Sequence, residues 1–304
     1  MEILEPAILF RLKTRTVVSG ELTMPCVPAM LDEYIKIIEN LLGALCQNNM
    51  TTQEIQSLRQ TIATKLEAGF KISPNTLFIF KYETQKVSLG IAGRLQITTI
   101  IKPILLENKY QNWLNKSPPI FGIYTDAKFM VTALQFRNTS STPILDVGAG
   151  NGRHSIPLSK KGYPVDAIEL NPAFAEKLSR LDATENLPIN VIQGNILDQL
   201  IKLRFSYYQL AIVSEVISHF QNIDQVRLLL AKMCDVIRSG GLLLFNCFLT
   251  ENGYEPDDKA RQIAQILWSF LMTRSELKLA MAGLPLKIIS EESLFEYERN
   301  HLPP

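Results

Sequence analysis

The chain has 304 residues, 46% of them hydrophobic and 20% charged, and its 31 Lys and Arg against 30 Asp and Glu leave a formal net charge of +1. That is enough chain for a substantial core, and the balance excludes a disordered polymer, a collagen-like repeat and a polycation that grips nucleic acid by bulk charge. Cys26, Cys46, Cys234 and Cys247 lack any C-x-x-C spacing, which argues against a disulfide scaffold or zinc module and for a reducing compartment.

The opening residues carry Glu2 and Glu5 and no basic leader region, and no window reaches about 18 uninterrupted apolar residues. The expectation is a cytoplasmic protein with no membrane partner. Met30, Leu31, Tyr34, Ile37, Ile38, Leu41, Leu42 and Leu45 recur at the spacing that lines one face of a helix. Thr51-Thr-Gln-Glu54 is a capping-box pattern, and it opens a second helix carrying Ile55, Leu58, Ile62 and Leu66. Residues 77–82 and 87–99 then read as two antiparallel strands joined by a turn at 84–86, and 103–117 as a short helix with Trp113 exposed. Pro118-Pro119 marks a boundary between an amino-terminal α+β unit, 1–119, and a second unit, 120–304.

The second unit alternates. Strands are expected at 144–147, 165–170, 189–193, 208–213 and 242–248, with helices at 127–135, 154–161, 172–182 and 224–238. Strands separated by helices of this length imply βαβ units, so the fold class is α/β with a doubly wound, mostly parallel sheet. Ligands of such sheets bind at the carboxyl ends of the strands.

Directly after the first of these strands stand Asp146, Gly148, Gly150, Asn151 and Gly152. Glycine suits a tight strand-to-helix turn and lets a flat ligand lie against bare main chain. The third glycine comes two residues after the second, where the dinucleotide fingerprint needs three, so NAD binding is disfavoured. Glu169 ends the next strand, where a carboxylate can accept from both hydroxyls of a ribose.

On these residues the segment from about 120 to 300 resembles the class I S-adenosylmethionine-dependent methyltransferases, which have a Rossmann-like fold. Its Gly150-Asn-Gly-Arg-His-Ser155 and Gly162-Tyr-Pro-Val-Asp166 stretches are loosely similar to the small tellurite-resistance-type members. The resemblance implies S-adenosyl-L-methionine as cofactor, Glu169 on its ribose and Asp146 on its amine, directly or through water. Asn195 and Ile196 stand where the family contacts adenine, with Asn195 replacing the usual Asp. Ser214-Glu215-Val216 replaces the Asn-Pro-Pro-Tyr signature of enzymes that methylate amide or adenine nitrogens, which disfavours those acceptors. Tyr124, ahead of the 127–135 helix, has the place of a lid over the cofactor.

A sulfonium already carries an activated methyl group, so in-line placement of the acceptor and exclusion of water are the main requirements. A hydroxyl acceptor needs a base, for which His219 and then Glu215 are the candidates. Asn246, Tyr254 and Arg153 are further residues that could face the acceptor, though residues of these types are more often structural. His154 and His301 show no metal-ligand spacing, and no metal is expected. A small-molecule acceptor is favoured, since no basic stripe with interleaved aromatics appears. Two other readings compete: a cofactor-binding or scaffolding module of the same fold without turnover, and an NAD-dependent oxidoreductase. After the 242–248 strand, 275–281 fits a helix and 286–297 a sixth strand, and the seventh strand of the family is expected to be absent. Its absence would leave a sheet edge to be covered by the amino-terminal unit, a partner or another copy of the chain.

Overall fold

The structure is a computed structural model describing residues 3–4, 8–14, 17–46, 49–84, 94–104, 122 and 124–301. The chain forms two compact units, Met1–Asn108 with Pro256–Leu267, and Lys109–Glu255 with Trp268–Pro304.

In the first unit the strands are β1 (Ile3–Leu4), β2 (Ile8–Lys13), β3 (Ser19–Pro25), β4 (Leu77–Thr84) and β5 (Arg94–Lys102), with helices α1 (Leu31–Leu45) and α2 (Thr52–Ile72) between β3 and β4. The sheet is antiparallel in the order β1-β5-β4-β3, with β2 also pairing β5. Alternate residues of β4 and β5, Phe78, Phe80, Leu95 and Ile97, are fully buried, and Ile38 and Leu42 of α1 and Leu58, Ile62 and Leu66 of α2 join them in one core. The Thr51–Glu54 capping box forms as its pattern requires, each side chain accepting from the other's backbone N–H.

The amino-terminal strands β1 to β3 were not foreseen. In β3, Gly20 and Pro25 interrupt the alternation that marks a strand. The hairpin register is also a correction. Thr84 pairs with Leu95 and Glu83 with Gln96, so the chain does not reverse at 84–86. The strand expected at 87–99 is observed at Arg94–Lys102, and residues 85–93 lie outside the described residues. The helix expected at 103–117 and the Pro118-Pro119 boundary fall almost wholly outside them too.

In the second unit α3 (Ala127–Ala133) precedes β6 (Ile144–Val147), α4 (Ser155–Lys160), β7 (Val165–Glu169), α5 (Pro172–Glu185), β8 (Ile189–Gln193), β9 (Tyr208–Val213), α6 (Ile223–Val236) and β10 (Ile237–Phe245). The sheet runs β10-β9-β6-β7-β8 and every pairing is parallel. β6, β7 and β9 are buried on both faces, and apart from Asp146, Asp166, Glu169 and Gln209 their residues are apolar. Leu145, Val147, Ala211 and Val213 pack with α6, while Ile144, Val165, Ala167 and Leu210 pack with Phe129, Leu158 and Leu178 on the other face. The fold is therefore an α/β, Rossmann-like, doubly wound sheet. Its order reverses between β6 and β9, the position at which sheets of this kind bind ligands at the carboxyl ends of the strands.

The remaining elements are β11 (Phe248–Leu249), α7 (Asp258–Ile266, within the first unit), β12 (Leu271–Met272), α8 (Arg274–Met281) and α9 (Leu294–His301). In the first unit α7 accepts the Ala29 N–H on Gln262 Oε1 at 2.9 Å and pairs Lys259 with Glu33. The sixth strand expected at 286–297 is corrected: among the described residues the parallel sheet has five strands, and the chain enters helix α9 instead. Ser293-Leu-Phe-Glu296 explains this, since Ser293 Oγ accepts the Glu296 N–H at 3.3 Å and so caps the helix. Ile289 is 78% exposed, so the apolar run before it has no sheet to enter. The family's seventh strand is likewise not found among the described residues.

Candidate cofactor site

The turn after β6 holds three left-handed residues, Gly148, Gly150 and Gly152, at φ of 75°, 55° and 83°. A side chain at each would meet a different environment. At Gly148 a Cβ would strike Val216 at 2.4 Å, and at Gly152 it would strike Ile156 and Leu178 at 2.7 Å. At Gly150 the nearest atom, the Gly148 carbonyl, is 3.9 Å away, so this glycine faces open space. Two glycines are thus demanded by packing, and Gly150 leaves the surface of the turn bare.

Glu169 holds the turn in shape. Its Oε2 accepts the Gly150 N–H and its Oε1 the Asn171 N–H, both at 2.7 Å. Gly148 and Ala149 donate to the Ile168 carbonyl at 2.8 and 2.9 Å. Burial pushes the Glu169 carboxyl up, opposed by the backbone N–H donors of Asn171, Gly150 and Leu170. Each carboxylate oxygen keeps a lone pair beyond the one engaged here, so Glu169 retains acceptor capacity for two hydroxyls.

Asp146, near the end of β6, is 1% exposed. Its Oδ2 accepts from Ser155 Oγ at 2.6 Å, and its Oδ1 is buried without a hydrogen-bond partner. Burial raises its pKa to about 6, against the lowering effects of the Ser155 hydroxyl and the Arg153 charge. An unpartnered buried carboxylate oxygen is unfavourable unless a donor reaches it.

Arg153, one residue past the turn, gathers three segments. Nη1 donates to Asp126 Oδ1 at 2.9 Å, and Nη2 to Ser214 Oγ at 3.2 Å and to Glu215 Oε1 at 3.0 Å. Ser214 in turn donates to Asp126 Oδ2 at 3.3 Å. Asn151 ties the turn to the chain before α3, its Nδ2 donating to the Gly122 carbonyl at 2.9 Å, and Thr125 Oγ1 donates to the Arg153 carbonyl at 2.8 Å. Beside this cluster His154 is 3% exposed, stacks edge-on to Phe129 and has no hydrogen-bond partner on either ring nitrogen. Its pKa falls to about 3 through burial, reinforced by the Arg153 charge, so the ring is neutral.

Asp146, Gly148, Gly150, Asn151, Gly152, Glu169 and Ser214 thus stand at the carboxyl ends of β6, β7 and β9 or in the turn that follows β6. Glu215 joins them through Arg153, in a strained left-handed conformation at φ 57° held by its N–H donating to Asn246 Oδ1 at 2.6 Å. Asn195 is a turn residue whose Oδ1 accepts the Leu197 N–H at 2.9 Å. The Ile196 side chain is 6% exposed within the core against α6, and its carbonyl accepts from Lys232 Nζ at 2.9 Å. Tyr124 is 76% exposed. The His219 ring packs against Trp268, with centroids 5.7 Å apart. The sequence does not single out Asp126, and it offers Arg153 only as a residue that could face the acceptor and is more often structural. The signal was a single Asp before α3 and a single Arg after the turn, which only the fold brings together.

Among the described residues, no group of three His, Cys, Asp or Glu side chains is placed to hold a metal ion, and no helix is long and apolar enough to cross a membrane. Residues 144–241 match a family model described as a methyltransferase domain. The ubiquinone biosynthesis O-methyltransferase of Rickettsia akari (strain Hartford) is 35% identical over 102 residues, which is 34% of this chain and 39% of that protein. That of Rickettsia typhi (strain ATCC VR-144 / Wilmington) is 31% identical over 38% of this chain and 48% of its own length. The chain therefore spans less than half the length of these two relatives. A crystal structure of geranyl diphosphate C-methyltransferase from Streptomyces coelicolor A3(2), with 18% identity, overlaps 52% of this chain and 57% of its own at a TM-score of 0.43. The match falls on β6 through the start of β10, the segment that builds the glycine turn, Glu169 and Ser214, so residues 144–241 are similar to a methyltransferase domain.

Proposed function

We propose that this chain is an S-adenosyl-L-methionine-dependent methyltransferase acting on a small-molecule acceptor. The observation that carries the reading is the bare face of Gly150 beside the buried, unpartnered Asp146 Oδ1. Together they suit a ligand that is flat at one end and carries an ammonium at the other. In this reading Glu169 accepts from the ribose hydroxyls, the turn carries the adenosine against its main chain, and Asp146 Oδ1 accepts from the amine. Asn195 and the main chain at Ile196 lie along the adenine side, and Tyr124 covers the entrance. The cofactor supplies a methyl group activated on a sulfonium; what the protein adds is orientation and exclusion of water, together worth roughly 7–11 kcal/mol of barrier when alignment is good.

The relatives' names, O-methyltransferases of ubiquinone biosynthesis, support a hydroxyl acceptor, which must lose a proton as its oxygen is methylated. Glu215 is the favoured base. It belongs to the network around Arg153 and is half exposed where an acceptor can enter, whereas the His219 ring is turned onto Trp268. The half-buried apolar residues of edge strand β10 support self-association through that edge. The four free cysteines support a reducing, cytoplasmic setting. Equilibrium dialysis with labelled cofactor tests the reading: wild type should retain the label and Glu169→Ala should lose most of it. Binding in wild type without transfer to any phenol, alcohol or amine of an acceptor panel would favour the non-catalytic module.

A further inference from the structure

The cofactor reading leaves one charge unaccounted for. An amino-acid end carries a carboxylate as well as an ammonium, and Asp146 answers only the ammonium. A carboxylate drawn in beside Asp146, Glu169, Asp126 and Glu215 needs a cation among them. Arg153 supplies one, directly after the glycine turn, and the hydrogen bonds of its guanidinium lead to Asp126, Ser214 and Glu215. Its two carboxylate partners are unequal. The Asp126 side chain is 12% exposed and accepts from Ser214 as well, whereas Glu215 is 50% exposed and its carboxylate touches only the guanidinium among the described residues. Exposed pairs of this kind contribute little and exchange readily. Guanidinium geometry suits a planar carboxylate, and Arg153 has N–H groups beyond the three bonds it makes.

We propose that Arg153 is the residue that binds the carboxylate of the cofactor's amino-acid end, giving up Glu215 for it while Asp126 and Ser214 keep the guanidinium aimed. The proposal rests on the cofactor reading above and extends it. It makes the Arg153–Glu215 pair a resting contact: cofactor binding releases Glu215, so the base for the acceptor is freed only when the methyl donor is in place. The positioning residue is Asp126.

Calorimetric titration with two compounds separates the possibilities. S-adenosylhomocysteine carries the amino-acid end; 5′-methylthioadenosine keeps the adenosine and thioether and lacks that end. Arg153→Gln should weaken S-adenosylhomocysteine about 10- to 100-fold, the range expected for a lost charge-assisted hydrogen-bonded pair, and 5′-methylthioadenosine by less than about twofold. Arg153→Lys should recover part of the loss. Glu215→Gln, at an exposed side chain that threatens folding least, should tighten S-adenosylhomocysteine a few-fold and leave 5′-methylthioadenosine unchanged. Equal weakening of both compounds by Arg153→Gln, or no tightening by Glu215→Gln, overturns the proposal while leaving the cofactor reading intact. Wild type that binds neither compound overturns the cofactor reading, and this proposal with it.

Discussion

Gly150 and Gly152 stand two residues apart and answer to different forces. A methyl group at Gly152 would collide with Ile156 and Leu178 at a left-handed φ of 83°, so Gly152→Ala should cost roughly 1–3 kcal/mol of stability and lower the melting temperature. At Gly150 there is open space and only the φ of 55° to oppose a side chain. Gly150→Ala should therefore melt within a few degrees of wild type yet bind cofactor poorly; comparing melting and titration for the two variants checks the split. Asp146 gives a pH dependence of known sign. Its pKa is about 6 when folded against a usual 3.8, so the folded state holds the proton more tightly, and the stability that proton confers is present below about pH 4 and lost as pH rises through 6. The loss amounts to about 2–3 kcal/mol. Asp146→Asn, neutral throughout, should gain on wild type across that window in urea unfolding and hold a constant difference above it. Binding runs the other way. Wild-type affinity for S-adenosylhomocysteine should rise with pH through about 6, because the amine needs the carboxylate, and the Asn variant should show a flat profile. Of this site, the glycines, Asp146 and Glu169 were legible because they cluster in sequence around one strand end and the next. Asp126 and Arg153 were not, since neither has a motif and their meeting across 27 positions exists only once α3 is folded.

The elements that sequence located to the residue are β6, β8 and β9, short runs rich in Ile, Leu and Val with only single polar residues between them. The element misread was α9. Its apolar residues suggested a strand, while the Ser293 cap and the exposure of Ile289 favour a helix. That helix has work in the second unit: Glu298 accepts the Ala127 and Lys128 N–H groups at 2.8 and 3.3 Å, capping α3, and Lys128 pairs with Glu292 at 2.8 Å. Since α3 follows Asp126 directly, Glu298→Ala should cost about 1 kcal/mol and speed amide exchange at 127–130, with an effect that shrinks in high salt. No change in exchange there would remove α9 from the support of the site. In the first unit, Thr51→Ala breaks both halves of the capping box and should lower stability by about 1 kcal/mol in urea unfolding.

At the scale of the molecule, the sequence puts a boundary at Pro118-Pro119, while the compact units are Met1–Asn108 with Pro256–Leu267, and Lys109–Glu255 with Trp268–Pro304. The contribution of Pro256–Leu267 to the first unit was not foreseen, because the pairing of Lys259 with Glu33 and of Gln262 with Ala29 spans more than 200 residues. A ligand that binds folded protein alone stabilises what it binds, by about 2.7 kcal/mol at a hundredfold excess over its dissociation constant. Hydrogen exchange with saturating S-adenosylhomocysteine should accordingly show protection at 146–154, 169–171 and 214–216, with α2, β4 and β5 unaffected. The most direct test of the whole account is a calorimetric titration of S-adenosylhomocysteine into wild type and into Gly150→Arg, whose side chain would fill the open face of the turn. The account predicts saturable one-site binding to wild type and none to the folded variant; a wild type that gives no heat, or a variant that binds equally well, would contradict it.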